Sequence, residues 1–232
     1  MANGFKEKPI LITGCARSGT SMTAGIVHLC GAWGGQLAGP NDNNKKGMFE
    51  NLEIRNGVVK PYFRALGVDP LGQKPLPDIT KFFGLSERQG ENWKQKIFSV
   101  IDKQGYAGQK WFYKGAKACL FWPLWDKAFP KAKWIIVRRN DEDIINSCLK
   151  TGFMRAYNTA DGWRKWVEEH KRRFFEMKKY LNVVEVWPEK MVNGDFSEIQ
   201  EVIISYGLEW NENAPAFVSP TLWGGKNGKS NR

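Results

Sequence analysis

Apolar residues follow two rhythms along the chain. Short unbroken runs at Pro9–Cys15 (PILITGC) and Lys133–Arg138 (KWIIVR) have the length and β-branched content of strands buried on both faces. Trp111–Lys114 and Val183–Trp187 read as two further strands. Elsewhere the spacing shifts to steps of three and four. Trp163, Trp166, Val167, His170, Phe174, Met177 and Leu181 line one face of a helix over 161–181, with Asp161 as its N-cap or first-turn acid. Further helices are predicted from about Gly19 to Gly31, around 87–103, across 117–128, at about 140–150, and over 195–206 with its end at Gly207. A helix starting near Asn51 is expected to kink or end at Pro61. Residues 34–47 (GGQLAGPNDNNKKG) carry no apolar period and read as a loop, and 68–86 is punctuated by Pro and Gly.

Strands alternating with helices predict an α/β fold of three αβα layers around a central, mostly parallel sheet. The 232 residues suit one domain, assigned to 1–223, followed by a Gly/Asn/Lys tail at 224–232 expected to be flexible.

Hydrophobic residues at 42% and aromatics at 13% exclude a disordered chain. Cys15, Cys30, Cys119 and Cys148 show no CxxC spacing, and only His28 and His170 stand beside them, so neither a zinc site nor a disulfide framework is expected. With no signal-peptide core and no membrane-length apolar run, the expectation is a soluble, cytoplasmic protein. The net charge of +11 is concentrated: residues 110–139 hold eight Lys/Arg against Asp126, while 181–232 hold four against seven acids. Such a segment makes a focused field for an anionic partner. No zinc-finger, helix-turn-helix or RNP pattern accompanies it, so nucleic acid is not the expected one.

The most informative segment is Gly14–Ser21 (GCARSGTS), between a strand and a helix. Gly14 and Gly19 stand at G-x-x-x-x-G spacing, which wraps a phosphate in backbone N–H groups at a helix N-terminus. A nucleoside triphosphatase would follow the second glycine with Lys and Ser/Thr. Here Thr20 and Ser21 follow, and the cation is Arg17, two residues before Gly19. A second pattern comes after KWIIVR, where Arg139 ends a strand and Ser147 lies eight residues on, about two helical turns into the next helix. An Arg fork at that place suits a phosphate dianion.

Both patterns resemble those of sulfotransferases that use 3′-phosphoadenosine 5′-phosphosulfate (PAPS), over about residues 9–31 and 133–150. The resemblance implies a P-loop NTPase-like fold and a 5′-phosphosulfate loop made of Arg17, Ser18, Gly19, Thr20 and Ser21. It implies a 3′-phosphate site at Arg139 and Ser147, adenosine 3′,5′-bisphosphate as product, and no need for a metal. Three departures are visible. Met22 replaces the Trp that small-molecule members often stack on adenine, and the second strand gives Lys114-Gly115-Ala116 where they carry Lys-Thr-His. The end of the chain, WGGKNGKS, matches the family's C-terminal cofactor loop only faintly.

Sulfuryl transfer needs cations near the bridging oxygen and a base for the acceptor proton. Arg17 and Lys114 are the candidate cations, Lys114 standing where the family's second-strand lysine stands. His28 and His170 fit a helix surface or core better than a catalytic role. The candidate base is Glu50, because Gly47-Met48-Phe49-Glu50-Asn51 resembles a G-[FY]-[FW]-E-N run of bacterial members, several branches of the family using a Glu. Glu50 could equally be an acid opening the following helix.

The acceptor is expected to be a small molecule or carbohydrate. Tyr106, Trp111, Phe112, Tyr113, Phe121, Trp122 and Trp125 could line its pocket, although their spacing fits core better. Two other readings stand: a nucleotide-dependent kinase with a divergent P-loop, and a nucleotide or nucleic-acid binder without chemistry.

Overall fold

The computed structural model describes residues 8–224. The tail read from residue 224 onward falls, but for Gly224, outside them. Four strands, β1 (Ile10–Gly14), β2 (Phe112–Lys114), β3 (Lys133–Val137) and β4 (Val183–Val186), form an all-parallel sheet in the order β2-β1-β3-β4. β1 pairs along its whole length with β3, from Ile10 opposite Lys133 to Gly14 opposite Val137. The chain leaves β1 towards β2 on one side and then crosses to β3 on the other. This puts a topological switch point at the carboxyl ends of β1 and β3, where open α/β sheets bind ligands.

Alternation within the strands explains the three layers. Ile10, Ile12, Phe112, Ile135 and Val137 face one side, packing on α1 (Thr20–Leu29) and α8 (Ser197–Ser205). Leu11, Tyr113, Trp134 and Ile136 face the other, under α3 (Glu87–Lys103), α4 (Trp122–Ala128), α5 (Asp141–Lys150) and α6 (Ala160–Tyr180). Both faces are apolar because both are covered. Of the aromatics that could have lined a pocket, Trp111, Phe112, Tyr113, Phe121, Trp122 and Trp125 are buried in this core.

Local chemistry accounts for the element ends. Ser86 and Gln89 form a capping box on α3. Thr159 caps α6 by accepting from Gly162 N–H, leaving Asp161 as the first-turn acid. Pro61 does not end its helix. A π-helical turn, Ile54–Val59, runs straight into α2 (Lys60–Ala65), and Lys60 N–H donates to Arg55 O five residues back. The wider turn relieves the crowding that a proline ring imposes on the preceding helical carbonyls. Two short helices, α7 (Pro188–Val192) and α9 (Ala214–Phe217), were not apparent from periodicity because neither spans two turns. Among the described residues, no helix is long and apolar enough to cross a membrane.

Candidate active site

The candidate phosphate loop leaves β1 at Gly14 and becomes α1 at Thr20. Arg17 (φ 72°) and Gly19 (φ 93°) both take the left-handed conformation that turns the loop back on itself. Gly19 caps α1 without a side-chain acceptor, and the first turn holds no acid, so the orphan N–H groups of the helix start remain for an external anion. Ser18 is fully buried, with its Oγ unpartnered among the described residues.

Pairing of β1 with β3 brings the second anchor to this loop. Arg139 follows β3, and Asn140 caps α5 by accepting from Glu142 and Asp143 N–H. Arg17 Nε donates to Ser147 Oγ at 2.9 Å, and Arg139 Nη1 donates to Arg17 O at 2.9 Å. The two anchors, more than 120 residues apart in sequence, are in direct contact. Arg139 forms no ion pair with the acids of Asp141–Asp143, and its Nε and Nη2 are buried without partners among the described residues. Its guanidinium carbon lies 4.1 Å from the ring centre of Trp223. Burial pushes both guanidinium groups below the usual arginine range.

On the other side of the loop, Lys114 ends β2 and its Nζ reaches Ser21 Oγ at 3.3 Å and Glu50 Oε1 at 3.0 Å. Arg55 takes the other carboxylate oxygen, Nη1 to Oε2 at 2.9 Å. Glu50 and Lys114 are nearly inaccessible, at 7% and 4% exposure, which decides that this is an interior network rather than a surface pair. Burial raises the carboxyl's pKa, but Lys114, Lys117 and Arg55 outweigh it and hold Glu50 down at about 2. Phe49, just before Glu50, is held at φ 52° with its ring edge-on to Phe217, 5.6 Å away.

Neither histidine is placed for chemistry at the loop. His28 is exposed in the last turn of α1, its Nδ1 beside Ala32 O, while His170 is buried against Trp166 O and pushed down to about 3 by that burial. All four cysteines are free and buried. Among the described residues, no group of three or more His, Cys, Asp or Glu could hold a metal ion.

Sequence reasoning missed Arg55 and Trp223. Arg55 was hidden because its contact with Glu50, five residues back across a loop-to-helix junction, follows no motif or periodicity. Trp223 belongs to the faint C-terminal match, yet it covers the loop: a Cβ on Gly19 would meet its ring at 2.8 Å and Pro188 at 2.9 Å. Gly19→Ala is therefore expected to lose about 2 kcal/mol, from left-handed strain and this overlap together, seen as a lower melting temperature. A cleft of about 950 Å³ between Leu76–Ile79 and α6 holds none of these residues. Trp223 instead lies over Arg139 and Gly19.

No protein-family model and no curated protein sequence matches the chain. Solved structures do. The sulfotransferase domain of the olefin synthase from Synechococcus PCC 7002 aligns over 96% of this chain and 80% of its own, with TM-score 0.56 and 16% identity. Sulfotransferase STF1 from Mycobacterium tuberculosis H37Rv aligns over 91% of this chain and 70% of its own, with TM-score 0.51 and 12% identity. At these identities the likeness is one of fold: the chain has the α/β, P-loop-like architecture of sulfotransferases.

Proposed function

We propose that this protein is a sulfotransferase that takes PAPS as donor and a hydroxyl or amine as acceptor. One observation carries the reading. Arg17 and Arg139, two adjacent and largely buried guanidinium groups, meet at the N-terminus of α1 with no carboxylate paired to either among the described residues. Such a pair calls for a multiply charged anion. The residues fit this donor: the unpartnered Nε and Nη2 of Arg139, with Ser147, suit a 3′-phosphate, and Arg17, Ser18 and the N–H groups of Gly19–Ser21 suit a 5′-phosphosulfate. Both structural neighbours described above are sulfotransferases, which supports the reading through the fold. A kinase would lack the lysine after Gly19 that reaches the β- and γ-phosphates.

Bound PAPS supplies an electrophilic sulfuryl group whose bond to the phosphate oxygen breaks as the bond to the acceptor forms. Arg17 and Lys114 neutralise the charge that builds on the leaving phosphate. Glu50 takes the acceptor proton on a carboxylate oxygen. Held at about 2 by its cations it is a weak base, and Lys114 supplies the remedy. Its Nζ already spans Ser21 and Glu50, so it can turn towards negative charge at the start of α1. Glu50 then loses its nearest cation and gains proton affinity, which ties base strength to donor binding.

The direct test is a thermal-shift series with adenosine 3′,5′-bisphosphate against ATP plus Mg²⁺. Selective stabilisation by the bisphosphate is expected. Equal or greater stabilisation by ATP would sink the assignment.

A further inference from the structure

Next to the Glu50 network lies a cleft of about 830 Å³, lined by Gln36, Leu37, Leu52, Glu53, Asn56 and Gly57. Both segments that wall it run directly past the candidate base. Leu37 pairs with Asn51 in an antiparallel bridge, and Ala38 N–H donates to Glu50 O at 2.8 Å. Arg55 ties the helical wall to the same carboxylate: its Nη1 donates to Glu50 Oε2 at 2.9 Å and its Nε to Asn56 Oδ1 at 3.3 Å. One guanidinium therefore spans from a residue of the cleft to Glu50. Gln104, at the end of α3, fixes the walls. Its Oε1 accepts from Gln36 N–H at 3.0 Å and from Nδ2 of the buried Asn51 at 2.6 Å, and its Nε2 donates to Glu53 Oε2 at 3.0 Å. Gly35 makes room for this junction, since a Cβ there would run into Gln104 Oε1.

We propose that this cleft takes the acceptor, and that the acceptor is a small molecule with a protonated amine on an apolar body beside the group that is sulfated. The word acceptor rests on the sulfotransferase reading, but the ammonium site stands on its own residues. The chain holds 35 lysines and arginines, yet none lines this cleft, and its one charged residue is an acid. Glu53 forms no ion pair among the described residues, and its Oε1 accepts no hydrogen bond there, so a carboxylate oxygen is left for a ligand. Leu37 and Leu52 supply the apolar contact, and Gln36 and Asn56 the neutral polar groups. An anionic acceptor would be repelled by Glu53, whereas an ammonium group would pair with it and be drawn towards the negative charge of a bound donor.

The test titrates the full chain, saturated with adenosine 3′,5′-bisphosphate, with tyramine and with its neutral analogue N-acetyltyramine, which share a phenol and an apolar body. Tyramine is expected to bind about fivefold tighter, the upper range for an ion pair open to water. The preference should vanish in Glu53→Gln, which keeps an oxygen for Gln104 Nε2, and persist in Glu53→Asp. Bisphosphate affinity should be unchanged in both variants. Equal binding of the two phenols, binding of neither, or a preference that survives in Glu53→Gln would overturn the inference and leave the donor reading standing. A chain that fails to bind the bisphosphate yet keeps a Glu53-dependent preference for tyramine would lose the donor reading and keep the ammonium site.

Discussion

Arg139→Ala abolishes selective stabilisation by adenosine 3′,5′-bisphosphate, weakening its binding about 100-fold. That is the combined worth of two charge-assisted hydrogen bonds from the two unpartnered guanidinium nitrogens. The substitution breaks no direct ion pair, although Asp143 and the partly buried Glu189 lose a nearby cation. The unliganded chain should therefore melt within about 3 °C of the parent. Arg139→Lys keeps a charge but not the fork, and should recover only part of the affinity. Calorimetric titration of both variants checks the ordering. Parent-like binding by Arg139→Ala would remove this residue from the anion site.

Glu50→Gln is expected to lower turnover by 10²- to 10⁴-fold, roughly the range for one positioned proton acceptor, while bisphosphate affinity changes little. Both roles cost stability, so the discriminating readout is turnover per folded molecule, which a purely structural Glu50 would leave unchanged. The pH dependence offers a second handle. The carboxyl is at about 2 when folded against an ordinary 4.5, so its stabilising contribution is complete above about 4.5 and is lost as the pH falls towards 2. By the same shift it is worth roughly 3 kcal/mol at neutral pH. Melting curves from pH 7 down to pH 3 should fall more steeply for the parent than for Glu50→Gln, the two converging at the acid end.

Most of the scaffold was legible because apolar periodicity alone dictates it. KWIIV is buried wherever it lies in such a sheet, and the three-four spacing of Trp163 to Met177 has one way to face a core. The turn from β1 into α1 was legible too, since Gly14 and Gly19 are needed by the backbone. Gly14 leaves no room for a Cβ beside Val137 O, and Gly19 takes a left-handed φ. What the sequence hid were contacts made by particular loop conformations. The Arg17–Ser147 bond requires β1 and β3 to be neighbours and Arg17 to turn left-handed, neither of which spacing reveals. Glu50 was visible as a candidate, but its partners were not: Arg55 meets it across a loop-to-helix junction, and Lys114 from the end of a strand 64 residues on. Trp223 was discounted with the weak C-terminal match, although it roofs the loop.

The seam between β1 and β3 is where the order of strand connections reverses, and the residues flanking it are joined by side chains more than 120 positions apart. A ligand held by both Arg17 and Arg139 would act as a clasp across that seam. Hydrogen exchange in the loaded chain would then slow at the ends of both strands together, because neither loop can open locally without releasing the ligand. The same long-range joint makes the proposed anion cradle a late product of folding: its residues come together only after β3 has been laid against β1, so a nascent chain would have no such site until the central strands have met.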